Sequence, residues 1–250
     1  MKRIAVTAAV LVVALAGSSP ALAQPVPVRF TEGVARGFPV LRGPDGERLA
    51  HGDLVQVARG DRVENRMVFH FKDGSVYDER VVFSQNGVFT LHAYSLVQRG
   101  PSFPESLEAH VDRGTGRYHV RYRADVDTPE EVLEGSLDLP DDVYNGLLTT
   151  LIKNLMPRAS ARVQILAFTP KPRLVTMLLA PAAEESVIVG EVALPTTRYR
   201  LEPQLGLLAS FLIGDVPVAR CWIVGGEAPG FLRFEGPLFF MGPIWRIEPS

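Results

Sequence analysis

Arg62-Val-Glu-Asn-Arg-Met-Val-Phe-His-Phe-Lys-Asp-Gly-Ser-Val-Tyr-Asp-Glu-Arg-Val-Val-Phe-Ser-Gln-Asn-Gly-Val88 decides the fold of this chain. Runs of alternating character are separated by Asp73-Gly74 and Asn86-Gly87. Such pairs mark hairpins because a type I′ turn needs positive φ at both central residues. Three antiparallel strands, Arg62–Phe71, Val76–Phe83 and Val88–Val97, are therefore expected.

Two-residue turns also set the register. They would place Phe71 against Val76, Phe69 against Asp78, Met67 against Arg80 and Val82 against Leu91. Met67, Phe69, Phe71, Val76 and Val82 then share a core face with Phe89, Leu91, Ala93 and Val97, interrupted by Asp78 and Arg80. The other face carries Arg66, His70, Tyr77, Glu79, His92 and Tyr94 among some apolar residues. A solvated face is the ordinary meaning of that set, as antiparallel sheets often have one wet side. Its functional meaning would be a cleft in which Glu79 and His92, diagonal neighbours, transfer protons.

Working outward, Leu54–Arg59 turns at Gly60-Asp61 into the meander, setting Leu54 against Met67 and Ala58 against Val63. Beyond it, Leu107–Asp112 and Arg117–Arg123 flank Arg113-Gly-Thr-Gly116. An even loop pairs Asp112 with Arg117, His110 with His119 and Glu108 with Arg121, leaving apolar residues on the reverse side. The facing His pair lacks a third ligand at motif spacing, so no metal site is assigned.

The period then changes. Pro140-Asp-Asp-Val-Tyr-Asn-Gly-Leu-Leu-Thr-Thr-Leu-Ile-Lys-Asn-Leu155 carries Val143, Leu147, Leu151 and Leu155 four apart, begins with Pro and acids, and stops before Pro157. It reads as one amphipathic helix covering the open side of a curved sheet. Strands resume at Ala161–Thr169, Arg173–Leu179, Val187–Leu194, Thr197–Glu202 and Val218–Val224, with short pieces from Phe231 to Glu248. Leu205–Ile213 is apolar throughout. The fold class is mainly β, an antiparallel meander forming a barrel or half-barrel with one covering α-helix.

Lys2-Arg3, the apolar run Ile4–Ala16 and Ala21-Leu22-Ala23 form a secretory signal pattern, with cleavage expected after Ala23. The organisation is then a signal peptide over 1–23 and one domain over 24–250, starting with a mobile, Pro-containing lead from Gln24 to Arg36. Localisation is expected to be periplasmic or secreted. The chain of 250 residues has a formal charge of −2, and loss of Lys2 and Arg3 makes it more negative. That argues against general attraction to nucleic acid or anionic lipid. The single cysteine, Cys221, cannot form an internal disulfide and reads as a buried small hydrophobe. No later run is long enough for a spanning helix.

Motifs for the commoner serine nucleophiles, zinc proteases, Cys-x-x-Cys sites, phosphate loops and dinucleotide binding are missing. No catalytic residue, metal or cofactor is assigned. The order of leader, meander, helix near Leu139-Pro-Asp-Asp-Val-Tyr144 and further strands resembles exported bacterial β-proteins of unassigned function. Thr197-Arg-Tyr-Arg-Leu-Glu-Pro-Gln204 and Gly236–Trp245 share that look. The plan is also similar to the half-barrel of LolA-type periplasmic lipoprotein carriers. That resemblance implies a curved sheet closed by helices over an apolar cavity. The leading expectation is a non-enzymatic binding protein for an apolar or amphipathic ligand such as a lipid, with Phe69, Phe71 and Trp222 facing a cavity under the helix. The alternatives are a hydrolase using Glu79 and His92, and a cell-envelope interaction module acting through a sheet edge or Leu205–Ile213.

Overall fold

The computed structural model describes residues 25–204 and 216–250; the leader and Leu205–Ile213 lie outside them. The first half contributes β1 (Ala35–Gly37), β2 (Pro39–Arg42), β3 (Arg48–Arg59), β4 (Arg62–Phe71), β5 (Val76–Asn86), β6 (Val88–Arg99), β7 (Ser106–Asp112), β8 (Arg117–Arg123) and β9 (Glu131–Ser136). A short helix α1 (Leu148–Asn154) leads to β10 (Ala161–Phe168), β11 (Pro172–Val189), β12 (Val192–Gln204), β13 (Ala219–Val224), β14 (Gly230–Gly236) and β15 (Trp245–Pro249).

These strands form one 15-stranded sheet in the order β10-β11-β12-β13-β14-β15-β2-β3-β4-β5-β6-β7-β8-β9, with β1 added on β3. The chain starts near the middle, meanders out to β9, crosses through α1 to the far edge, and meanders back until β15 pairs with β2. The strands on both sides of Pro157 thus share one sheet. Ring contacts show how far the sheet curls. Tyr94 on β6 stacks on Phe168 of β10 at 6.1 Å, although these strands lie near opposite ends of the order. The architecture is barrel-like but not closed, because β9 and β10 do not pair.

Several expected pairings hold. Leu54 faces Met67 and Ala58 faces Val63. Asp112 faces Arg117, His110 faces His119 and Glu108 faces Arg121, with Leu107, Ala109, Val111 and Val120 buried on the reverse side.

The β4–β5 register differs by one residue. Phe71 N–H donates to Ser75 O, His70 faces Val76, and Phe69 faces Tyr77. The loop is thus Lys72-Asp73-Gly74, three residues long, with Gly74 in the left-handed region at φ 87°. Strand side chains alternate with period 2, so this slip reverses β5. Tyr77, Glu79, Val81 and Phe83 point inward, while Asp78, Arg80 and Val82 point outward. A second correction follows on β6, where Phe83 faces Leu91 but Val82 faces Ala93. His92 is the extra residue of that bulge, which turns Tyr94, Leu96 and Gln98 inward in place of Ala93 and Val97.

The expected 16-residue helix is also shorter. Only Leu148–Asn154 is helical. Upstream, Asp142–Asn145 runs beside the free edge of β10: Tyr144 N–H donates to Gln164 O, Gln164 N–H to Asp142 O, and Asn145 exchanges two bonds with Leu166. The backbone groups that would build a helix are used to cover an open edge. Val143, Leu147 and Leu151 are still fully buried, so the apolar stripe packs inward without the helix.

In the second half, Arg173–Leu179 and the first part of Val187–Leu194 belong to one long strand, β11, which turns at Gly190 (φ 61°) into β12. No helix among the described residues is long and apolar enough to cross a membrane.

Candidate functional site

The interior holds one unusual group. The β5 register aims Glu79 inward and the β6 bulge aims Tyr94 at it, so that the Tyr94 hydroxyl donates to Glu79 Oε1 at 2.8 Å. Tyr77 supplies a second hydroxyl to the same carboxyl. Glu79 keeps some exposure as a residue, but its carboxyl is enclosed. Burial raises its pKa above the usual carboxylate range, outweighing the two hydroxyls, which favour the charged form. Burial, with the carboxyl beside them, holds both tyrosines well above the ordinary phenol value. Asn145 bonds to Tyr94 as well as to the backbone of Leu166. Gly146 closes over the cluster at φ 70°, its Cβ position 3.3 Å from Val81 Cβ and 3.5 Å from Glu79 Cδ.

His92 is not part of this arrangement. It sits in the bulge, where partial burial lowers its pKa and Arg62 and Arg113 lower it further. The expected diagonal approach of Glu79 and His92 fails, because Glu79 faces Leu96 rather than Tyr94. Glu79 has no described base beside it and lines neither of the clefts given below. Its surroundings favour the protonated form more than water does.

Both ends of the interior are occupied. At the Asp73-Gly74 end, Phe103 packs against Phe71, Tyr77, Phe239 and Trp245 with centroid distances of 5.4 to 6.4 Å. At the Asn86-Gly87 end, the segment expected to be mobile is ordered. Phe89 N–H donates to Val26 O, Val28 N–H to Gly87 O, and Val26 N–H to the Tyr144 hydroxyl, which buries the Val26 side chain. The segment then crosses α1, where Asn154 Oδ1 accepts from the N–H groups of both Arg29 and Phe30. Glu32 completes the strap with Lys153 at 2.5 Å and a bond from Gln56. Alternating Pro hid this in the sequence, since only the tertiary partner Asn154 gives the backbone something to bond.

Of the residues expected to face a cavity, Phe69 and Phe71 do point inward and are buried. Trp222 does not share their interior. It alternates with Cys221 on β13, and Cys221 is the inward residue, its thiol pushed up by burial. Trp222 lies on the outer face, where its indole N–H donates to Glu185 and the Arg233 guanidinium lies 5.6 Å from its ring. The described clefts are small and superficial. One of about 180 Å³ lies by Arg99, Glu108 and Arg121, and another of about 270 Å³ by Pro157, Pro181 and Tyr199. His110 and His119 face each other, but His119 Nδ1 is bonded to Glu134. Among the described residues no group of three or more His, Cys, Asp or Glu is arranged to hold a metal.

Three exposed aliphatic residues are gathered at the end of β11 and β12. Beyond Leu179, β11 has no β10 partner, and before Thr196, β12 has no β13 partner. The two strands continue alone as an arm whose tip exposes Ile188 (73%), Val189 (47%) and Val192 (59%).

No protein-family model matches the chain, and no curated protein matches it. Among solved structures, the chain is similar to a β-barrel-like protein of domain of unknown function DUF1849 from Brucella abortus. The two are 8% identical with a TM-score of 0.44, over 91% of this chain and 97% of that one.

Proposed function

We propose that the protein is an exported, non-catalytic binding module for an amphipathic partner, and that it works through its outer surface rather than through its interior. The observation that supports this reading is the β11–β12 arm, which carries exposed aliphatic residues beyond the last flanking strand. Exposed apolar groups gathered in one place mark interaction sites. The interior offers less. A LolA-type carrier needs room under its helix, whereas here Phe103 with its aromatic neighbours and the Val26 strap take up the two ends. In this reading Phe69 and Phe71 are packing residues, and Trp222 stiffens the outer face.

The test uses uncharged dodecyl maltoside micelles and an Ile188→Asp/Val192→Asp variant. Both sites are exposed, so the stability should stay within about 0.5 kcal/mol of wild type. Wild type is expected to associate with micelles and the variant to lose that association. Equal behaviour of the two proteins would overturn the reading. Detergent-free purification followed by native mass spectrometry should give the bare protein mass; a stoichiometric lipid would favour an interior carrier instead.

A further inference from the structure

Although the whole chain is mildly acidic, its outer face is not uniform. Inter-strand register lines up outward residues from strands far apart in sequence. Arg200 on β12 faces Arg220 on β13, which faces Glu235 on β14; Glu235 faces Arg246 on β15, which faces Arg42 on β2, which faces Arg48 on β3. The row crosses six neighbouring strands, about 24 Å at the usual strand spacing. Beside it run Arg198, Trp222, Arg233 and Glu248.

Two carboxylates in this band lie lower than their guanidinium partners, while Glu185 is as open as Arg198 and Glu202 pairs with Arg200 at 3.7 Å. Glu235 is 17% exposed between Arg220 at 4.0 Å and Arg246 at 3.0 Å, and Glu248 is 22% exposed between Arg42 at 2.8 Å and Arg233 at 3.6 Å. Glu235 and Glu248 are each shared by two arginines, and the arginines of the band outnumber its acids, so the band is cationic on balance. Arg200 opposite Arg220 and Arg42 opposite Arg48 are like charges in direct cross-strand contact, an arrangement that opposes folding. The Nε atoms of Arg198 and Arg233 are buried without a hydrogen-bond partner.

The apolar arm continues the same face. Glu185 and Trp222 show which side of β11 and β12 is outward, and Val187, Val189, Val192 and Leu194 share the parity of Glu185 and Arg198. Val192 stands about 20 Å along the strand from Arg198. A cationic band thus adjoins an aliphatic tip.

We propose that this arginine band docks the protein on an anionic phospholipid surface, with the tip of the β11–β12 arm entering the interface beside it. The inference rests on the reading of a surface-acting module and names its amphipathic partner. Guanidinium groups match phosphate oxygens in a bidentate fork. The band lies across the outer face of the curled sheet, and neither described cleft is lined by its arginines. A plane of repeated phosphates suits it better than one enclosed phosphate ion.

The experiment is co-sedimentation of the purified protein with vesicles of phosphatidylcholine alone or mixed with phosphatidylglycerol. Phosphatidylglycerol should recruit the protein at about 0.05 M salt, and about 0.5 M salt should release it by screening. Arg48→Gln/Arg200→Gln removes two exposed charges that anchor no buried acid. At the usual gain for one cation at such a surface, it should weaken binding roughly thirty-fold. Arg173→Gln, away from the band, should leave binding and melting unchanged, and the double variant, relieved of two like-charge pairs, should melt no lower than wild type. No preference for phosphatidylglycerol would overturn the inference, as would an unchanged double variant. Release by millimolar inorganic phosphate at constant ionic strength would show a single-anion site instead. Stronger binding to a DNA duplex than to vesicles would show a nucleic-acid partner. If micelle association through the arm survives while the lipid preference is absent, this inference fails and the broader reading stands; loss of both removes both.

Discussion

Tyr94 and Glu79 share a hydrogen bond of 2.8 Å although neither is the other's cross-strand partner: Tyr94 faces Val81 and Glu79 faces Leu96. The bond runs diagonally across β5 and β6. It exists because the β4–β5 loop and the His92 bulge turn both residues inward.

This pair predicts a pH dependence. Burial holds Glu79 more protonated in the folded state than in the unfolded chain. Over the window between its unfolded and folded pKa values the folded state binds the extra proton, so stability falls as pH rises. The contribution is fully present below the unfolded value. Glu79→Gln should therefore melt like wild type near pH 4 and above it at pH 8, with a gain that grows with pH. Thermal melts across that range check this, and a variant less stable at pH 8 would show that the carboxylate is well accommodated.

Gly146→Ala should destabilise by about 1–2 kcal/mol. Its φ of 70° is unfavourable for an L side chain, and the new methyl would press on Val81 at 3.3 Å. Denaturant titration measures the loss. An unchanged midpoint would mean that the segment over Glu79 can shift freely.

Asn154→Ala removes the acceptor used by Arg29 and Phe30. Leaving these amides unpaired should cost about 1–3 kcal/mol, a fall of several degrees at about 2–4 °C per kcal/mol for a chain of this size. Hydrogen exchange should quicken at residues 26 to 30 before the sheet. Unaltered exchange there would contradict a strap held by α1.

Phe103→Ala should cost about 3–5 kcal/mol, because Phe71, Tyr77, Phe239 and Trp245 surround the ring. Trp245 emission should shift to the red as water enters. A cost below about 1 kcal/mol would show that this end of the interior collapses easily or was loosely filled.

Much of the fold was legible in the residues. Asp-Gly and Asn-Gly located two hairpin connections, and opposite charges on Leu107–Arg123 specified a register that the structure repeats pair for pair. The candidate site was less legible. Asp78 and Arg80 on a supposed core face already signalled a one-residue slip, but a two-residue and a three-residue loop are both open to Lys72-Asp73-Gly74-Ser75.

The sequence by itself determined that this chain is a strand-rich meander with one buried apolar crossover, because turn chemistry and side-chain period act within a few residues. Tertiary structure alone decided which residues face inward on β5 and β6, since one inserted residue reverses a period of 2. It also decided that Asp142–Asn145 covers the β10 edge instead of forming helix, because an open edge supplies bonding partners that a helix would have to supply itself. The arginine band belongs to the same class. Arg42 and Arg246 become neighbours only when β15 closes on β2, and net charge, being a sum, carries no record of where its members meet.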